Sequence, residues 1–137
     1  MFHHDTQIRV RYGDTDKMGV VYYGKYAEYF EVGRTELIRQ FGLTYRGMEE
    51  SGILLPVLIL NVQYIKPARY DDLITIRAWI RELPQVRIKF DYEIFSQNME
   101  LLCKGETTLA FTDSTTWKPR RAPADFIEQL QTKLKNS

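Results

Sequence analysis

The run from Val86 to Ile94 constrains the fold more than any other stretch. Val86, Ile88, Phe90, Tyr92 and Ile94 alternate with Arg87, Lys89, Asp91 and Glu93. A period of two puts the apolar side chains on one side of a strand and the charges on the other. A strand of that kind belongs to a sheet with one buried face, the usual condition of an antiparallel sheet. Ile74, Ile76, Ala78 and Ile80 alternate in the same way with Thr75, Arg77, Trp79 and Arg81, and Leu101 to Thr112 supplies a last strand. The short connections Leu83-Pro84-Gln85 and Ser96-Gln97-Asn98 predict hairpins. Ile8, Val10 and Tyr12, set between Gln7, Arg9 and Arg11, predict a first strand. Leu58, Leu60, Val62 and Tyr64 alternate with Ile59, Asn61, Gln63 and Ile65. This strand is less polar on its second face, so it is expected to be central or covered by a partner.

One segment breaks the strand pattern. From about Tyr22 to about Phe41, the residues Tyr26, Tyr29, Phe30, Gly33, Leu37 and Phe41 recur at three- and four-residue spacing. They form one apolar stripe of a helix, with Glu28, Glu31, Thr35 and Arg39 outside it. A glycine inside the stripe weakens the helix, and close approach to a sheet would explain Gly33. Gly42 supplies a stop. Residues 44–52 are expected to add a short helical turn, and Pro123 to Lys135 a terminal helix. One long apolar helix with about five antiparallel strands is an α+β pattern, and the simplest packing wraps the sheet around the helix. Edge strands are then exposed, and pairing between subunits would cover them.

At 137 residues the chain fits one domain, 1–137, without repeat or linker. Lys plus Arg number 19 against 18 Asp plus Glu, so the basic surplus that grips nucleic acid is missing. No apolar run is long enough to span a bilayer. Met1 to Asp5 lacks the basic and apolar regions of a signal peptide, and His3 and His4 are expected to be disordered terminal residues. Cys103 is the only cysteine, which forbids an intrachain disulfide and makes the cytoplasm the default compartment. Cys103 lies in a strand and reads as a core residue. With no histidine beyond His3 and His4, Ser-His or Cys-His catalysis has no internal base. The carboxylates show no metal-binding spacing, so neither metal nor cofactor is expected.

Chemistry concentrates in Gly13-Asp14-Thr15-Asp16-Lys17-Met18-Gly19, a polar loop that feeds the helix. The first helical N–H groups lack internal partners and carry the positive end of the dipole. Such a terminus can hold a developing oxyanion, and a carboxylate folded back to face it can attack or activate water. Aspartates before helices also cap and shape turns, and spacing alone does not choose between these uses.

Asp14-Thr15-Asp16, Gly19-Val20-Val21-Tyr22 and Tyr26 resemble the signature of the 4-hydroxybenzoyl-CoA thioesterase family, especially its Tol–Pal-associated acyl-CoA thioesterase branch. So do Tyr29-Phe30-Glu31, Arg34-Thr35-Glu36, the run from Tyr64 to Asp72, and Lys118-Pro119-Arg120-Arg121-Ala122-Pro123. The resemblance implies a hotdog fold, dimers or tetramers, and hydrolysis of an acyl-CoA thioester to acid and free CoA. It assigns the catalytic carboxylate to Asp16 and the oxyanion donor to the backbone N–H of Tyr23, with Gly24 and Lys25 beside the substrate. It also implies a CoA nucleotide near a subunit boundary, for which Lys118, Arg120 and Arg121 form the densest basic cluster. Arg87 and Lys89 read as a solvated strand face. Two departures stand out: members often carry His at the Tyr23 position and Asn at the Lys25 position. Asp14 is expected to structure the loop. Glu31, the alternative carboxylate, is expected to pair with Arg34. A hotdog dehydratase and a non-catalytic acyl-thioester binding module are the competing readings.

Overall fold

A computed structural model of the chain describes residues 1–136. The strands are Phe2–Arg9 (β1), Ile53–Leu54 (β2), Val57–Tyr64 (β3), Leu73–Ile80 (β4), Arg87–Phe95 (β5), Leu101–Ala110 (β6) and Thr112–Asp113 (β7). The helices are Tyr26–Arg39 (α1), Tyr45–Glu50 (α2) and Ala124–Lys135 (α3). Five strands pair antiparallel in the order β1-β4-β5-β6-β3, while β2 pairs with β7. Both predicted hairpins are present, and the α+β class read from the sequence holds. Among the described residues, no helix is long and apolar enough to cross a membrane.

The alternation of β5 maps directly onto burial. Ile88, Phe90, Tyr92 and Ile94 are buried, whereas the charged residues between them are exposed or half-buried. The stripe of α1 meets this face along β4, β1 and β5. Two glycines set how close helix and sheet come. A Cβ on Gly33 would lie 2.7 Å from Ile76 Cγ2. A Cβ on Gly105 would lie 2.5 Å from Phe30 Cε2 and 2.7 Å from the Asn61 carbonyl oxygen. The space so freed lets the Phe30 ring stack on Tyr92, with centroids 4.3 Å apart. At the far end of α1, Phe126 of α3 packs edge-on against Phe41 and Phe111 and closes the core.

Three expectations need correction. β1 begins at Phe2, not near Ile8, and it ends at Arg9, so Tyr12 falls in a 3-10 turn and is exposed. His3 and His4 are ordered: they pair with Trp79 and Ala78 of β4. Polar residues at inward positions, His4 and Thr6, mask this strand in the sequence. β3 is not central but is the sheet's edge, bonded to β6 alone. Its low polarity therefore belongs to an exposed edge: Val57, Leu58, Ile59 and Leu60 keep 44–47% of their surface.

Candidate active site

The loop after β1 is built by its own backbone. Asp16 N–H donates to the Val20 carbonyl at 2.9 Å and Gly19 N–H donates to the Asp16 carbonyl at 3.0 Å, closing a tight turn. Gly19 sits at φ +78°, a conformation that favours glycine. The returning arm is stitched to the segment after β3 by the Val21 N–H, which donates to the Ala68 carbonyl at 2.8 Å. Tyr22 N–H then donates to the Asp14 carbonyl at 2.9 Å, so loop and helix entry are bonded together.

The two loop aspartates do different work. Asp14 is buried, and its Oδ2 accepts from the Arg11 N–H at 3.1 Å and the Tyr29 hydroxyl at 3.0 Å. Lys25 Nζ lies 3.4 Å from Asp14 Oδ1 and 2.6 Å from Glu28 Oε2. Burial pushes the Asp14 carboxyl up, but the hydrogen bonds from Arg11, Tyr29 and Lys25 outweigh it and hold the group below its ordinary value. Asp14 is the loop-structuring residue expected from sequence. Asp16 is half-buried, and its Oδ1 accepts only the Met18 N–H at 2.9 Å. Among the described residues, no hydrogen bond reaches its other carboxylate oxygen.

Asp16 and Tyr23 line one cleft of about 260 Å³, together with Val20, Tyr26, Tyr64 and Pro67. Tyr23 opens a 3-10 turn, Tyr23–Lys25, that runs straight into α1. Its N–H is therefore one of the donors a helix start leaves unused. Its carbonyl accepts from the Tyr64 hydroxyl at 2.9 Å, which pins the helix entry to the end of β3. Tyr64 also packs edge-on against Tyr26, with centroids 5.2 Å apart. The cleft thus presents a carboxylate, a helix entry and apolar walls. No histidine lines it.

The remaining candidates lie elsewhere. Gly24 is in the same turn, packed under Tyr22: a Cβ there would come 2.8 Å from Tyr22 Cε2. Lys25 points its ammonium at Asp14 and Glu28 and does not line the cleft. Lys118, Arg120 and Arg121 follow β7, and none of them lines the cleft either. Glu31 comes no closer than 4.0 Å to Arg34 Nη2, a looser pair than expected. Cys103 is buried, and burial pushes its thiol up to about 12. A larger cavity, about 480 Å³, lies on the sheet's other face around Arg81, Asp91 and Glu106. Two of its charged residues are engaged with each other, Arg81 with Asp91 at 2.8 Å, and Glu106 is held by Lys89 at 2.9 Å. Sequence reasoning did not assign Tyr64 and Pro67 to the site. Their signal was an apolar strand ending in Lys-Pro, which ordinarily marks only a strand end.

Residues 10–130 match the model of the thioesterase-like superfamily. The YneP protein of Bacillus subtilis is 36% identical over 113 residues, 82% of either chain. The acyl-CoA thioester hydrolase YbgC of Escherichia coli is 29% identical over 124 residues, 90% of this chain and 92% of its own. Among solved structures, the DHNA-CoA thioesterase of Staphylococcus aureus superposes with a TM-score of 0.92 at 38% identity, covering 96% of this chain and 91% of the other.

Proposed function

The chain belongs to the thioesterase-like superfamily and has the hotdog fold, and from that premise we propose that it hydrolyses acyl-CoA thioesters with Asp16 as the reactive carboxylate. The observation that carries the assignment is the shared cleft of Asp16 and Tyr23. An acyl-thioester carbonyl in that cleft meets a basic oxygen on one side and an unused N–H on the other. Asp16 either adds to the carbonyl, releasing CoA thiolate and leaving a mixed anhydride for water to open, or takes a proton from the attacking water. In both routes the Tyr23 N–H steadies the tetrahedral oxyanion. A carboxylate without a histidine suits hydrolysis better than the paired acid and base of a dehydratase. Because Tyr23 acts through its backbone, a side chain other than His is compatible with turnover.

Three further parts complete the reading. Lys118, Arg120 and Arg121 hold the CoA phosphates, as guanidinium and ammonium groups do elsewhere. Changing Arg120 and Arg121 together to Ala then raises KM more than it lowers kcat. Gly24 and Lys25 serve the site from the helix entry beside Tyr23, Lys25 by fixing Asp14 and hence the loop. The protein works as a homo-oligomer, a dimer or a tetramer built from dimers, because β3 is an open apolar edge.

The test is Asp16→Asn, assayed for CoA thiol release with a panel of acyl-CoAs. The change keeps size and turn geometry but removes charge and basicity. Turnover falls by about two to four orders of magnitude, the range for losing a general base, while melting stays near the parent. Near-parent turnover in the folded variant would overturn the assignment and direct attention to Glu31.

A further inference from the structure

Tyr23 carries its N–H in one peptide group and its carbonyl in the next. The first group joins Tyr22 to Tyr23, and its carbonyl, that of Tyr22, accepts the Lys25 N–H at 2.9 Å. The second joins Tyr23 to Gly24, and its carbonyl accepts the Tyr64 hydroxyl at 2.9 Å. Each peptide group is planar, so only φ and ψ of Tyr23 set how the two planes lie to each other. Holding both planes from outside therefore fixes the direction of the Tyr23 N–H. The first hold is local, within the turn itself. The second comes from 41 residues away, at the end of β3. Side-chain caps do not supply it. A helix start is ordinarily fixed by a Ser, Thr, Asp or Asn cap, but neither Tyr22, ahead of the 3-10 turn, nor Lys25, ahead of α1, makes a side-chain capping bond.

Tyr64 is seated firmly enough to act as a strut between sheet and helix entry. The chain just past it is locked to β6, because the Ile65 and Lys66 N–H groups both donate to the Leu102 carbonyl, at 2.9 and 3.0 Å. Its ring packs edge-on against Tyr26, which is buried and whose own hydroxyl accepts the Ala68 N–H at 3.4 Å. Burial pushes the Tyr64 hydroxyl above the ordinary phenol range, so it remains a donor at neutral pH. The same side chain lines the cleft beside Asp16 and Tyr23.

We propose that Tyr64 is a positioning residue for the hydrolysis: its hydroxyl, through the Tyr23 carbonyl, aims the Tyr23 N–H at the oxyanion. The inference rests on the acyl-CoA hydrolase reading and gives the sheet a part in a site otherwise built from loop and helix entry. In this role Tyr64 touches no reacting atom. An oxyanion donor is effective because it is already oriented when charge develops, so no reorganisation is left to the moment of reaction. A donor that wanders loses transition-state stabilisation. It loses little ground-state binding, since the thioester carbonyl carries far less charge than the tetrahedral oxygen.

The test is Tyr64→Phe in the full-length protein, which removes one oxygen and keeps the ring, its packing on Tyr26 and the cleft wall. With the acyl-CoA that the parent turns over fastest, kcat falls by about ten- to a hundredfold while KM stays within about threefold. NMR relaxation gives a second readout that needs no turnover. The backbone order parameters of Tyr23 and Gly24 fall in the variant, and those of α1 beyond Tyr29 keep their parent values. Tyr64→Leu, which also loses the ring, lowers kcat as far and raises KM in addition. An unchanged kcat in Tyr64→Phe overturns the inference. So does a higher KM with kcat kept, the signature of a hydroxyl that contacts substrate. Unchanged order parameters at Tyr23 and Gly24 overturn it too, as does loosening that spreads along α1 or a Tyr64→Phe protein that does not fold, since the hydroxyl would then serve the fold at large. An inactive parent defeats the hydrolase reading and takes this inference with it, whereas an active parent with an unaffected Tyr64→Phe defeats this inference alone.

Discussion

The hydroxyl of Tyr29, one turn inside α1, donates to Oδ2 of Asp14 at 3.0 Å. Through this bond the helix holds the loop that carries Asp16. The backbone bonds from Val21 to Ala68 and from Tyr22 to Asp14 hold the other arm of the same loop. Asp14 and Tyr29 therefore position the loop on which Asp16 sits. Tyr29→Phe leaves a buried carboxylate short of one donor and costs about 1.5–3 kcal/mol, the range for a hydrogen bond to a charged group. The sign of the accompanying pH effect is fixed. Asp14 titrates below its ordinary 3.8 when folded, so its contribution is full above that value and is lost as pH falls through the folded value. Asp14→Asn should flatten the acid limb of the melting profile below about pH 4, although Asp5 and Glu106, also held low by arginine and lysine partners, keep some slope. Melting temperatures of parent and variants from pH 2 to 7 check both statements. A parent acid limb as steep in Asp14→Asn as without it would show that Asp14 is not held low.

Gly33 and Ile76 make a second testable pair. Alanine normally strengthens a helix interior by about 1 kcal/mol over glycine. Here the added methyl would come 2.7 Å from Ile76 Cγ2, a branched atom in a fully buried side chain. Overpacking of that kind costs about 1–3 kcal/mol, so Gly33→Ala should be net destabilising. In an Ile76→Ala background the obstacle is gone, and the same change should become neutral or stabilising. Denaturant unfolding of the four proteins measures the coupling directly. Additive effects would place the obstacle somewhere other than Ile76.

Cys103 gives a prediction by exclusion. Burial alone pushes its thiol up to about 12, so at pH 8 only about one part in ten thousand is thiolate. A disulfide reagent should leave the folded protein unmodified for hours and label it at once in denaturant. Cys103→Ala should keep thioester turnover within about twofold, with any loss traceable to the small cavity. Rapid labelling of the native thiol would contradict the burial.

The fold was largely legible because its main signals are periodic. Val86 to Ile94 declared a half-buried strand, and the stripe from Tyr26 to Phe41 declared the helix that covers it. The Gly33 exception, read as close approach, is explained by Ile76. What stayed hidden involved residues that break periodicity or meet only in three dimensions. His4 and Thr6 face inward in β1, yet their polarity disguises the strand. The edge position of β3 follows from strand order, which alternation along one strand does not encode. The pairing of Asp16 with Tyr23 could be anticipated from a loop feeding a helix. Tyr64, by contrast, reaches the site from 41 residues away through its hydroxyl, and local pattern contains no record of that contact. Glu31 read as the structural partner of Arg34, yet the two stay 4.0 Å apart and Arg34 is bonded to Tyr45 instead, because spacing gives proximity but not orientation.

The exposed edge of β3 leads to the last prediction. β3 bonds to β6 on one side, and its other side offers unpaired N–H and carbonyl groups together with Val57, Leu58, Ile59 and Leu60. Isolated proteins rarely leave an apolar edge of that length uncovered, since it templates pairing with another chain. The same edge forms one wall of the cleft, through Tyr64. Pairing of β3 with a second copy would therefore both bury the apolar residues and add to the walls of the cleft. Light scattering should show the parent protein as a dimer or tetramer at micromolar concentration, with a melting temperature that rises with concentration. Leu58→Lys combined with Ile59→Lys brings like charges together across a two-fold axis, which edge lysines ordinarily prevent from pairing. That variant should move toward monomer and lose turnover in parallel, with activity partly recovered at high protein concentration. A parent that is monomeric and fully active would show that the edge is covered by nothing and that the cleft is complete within one chain.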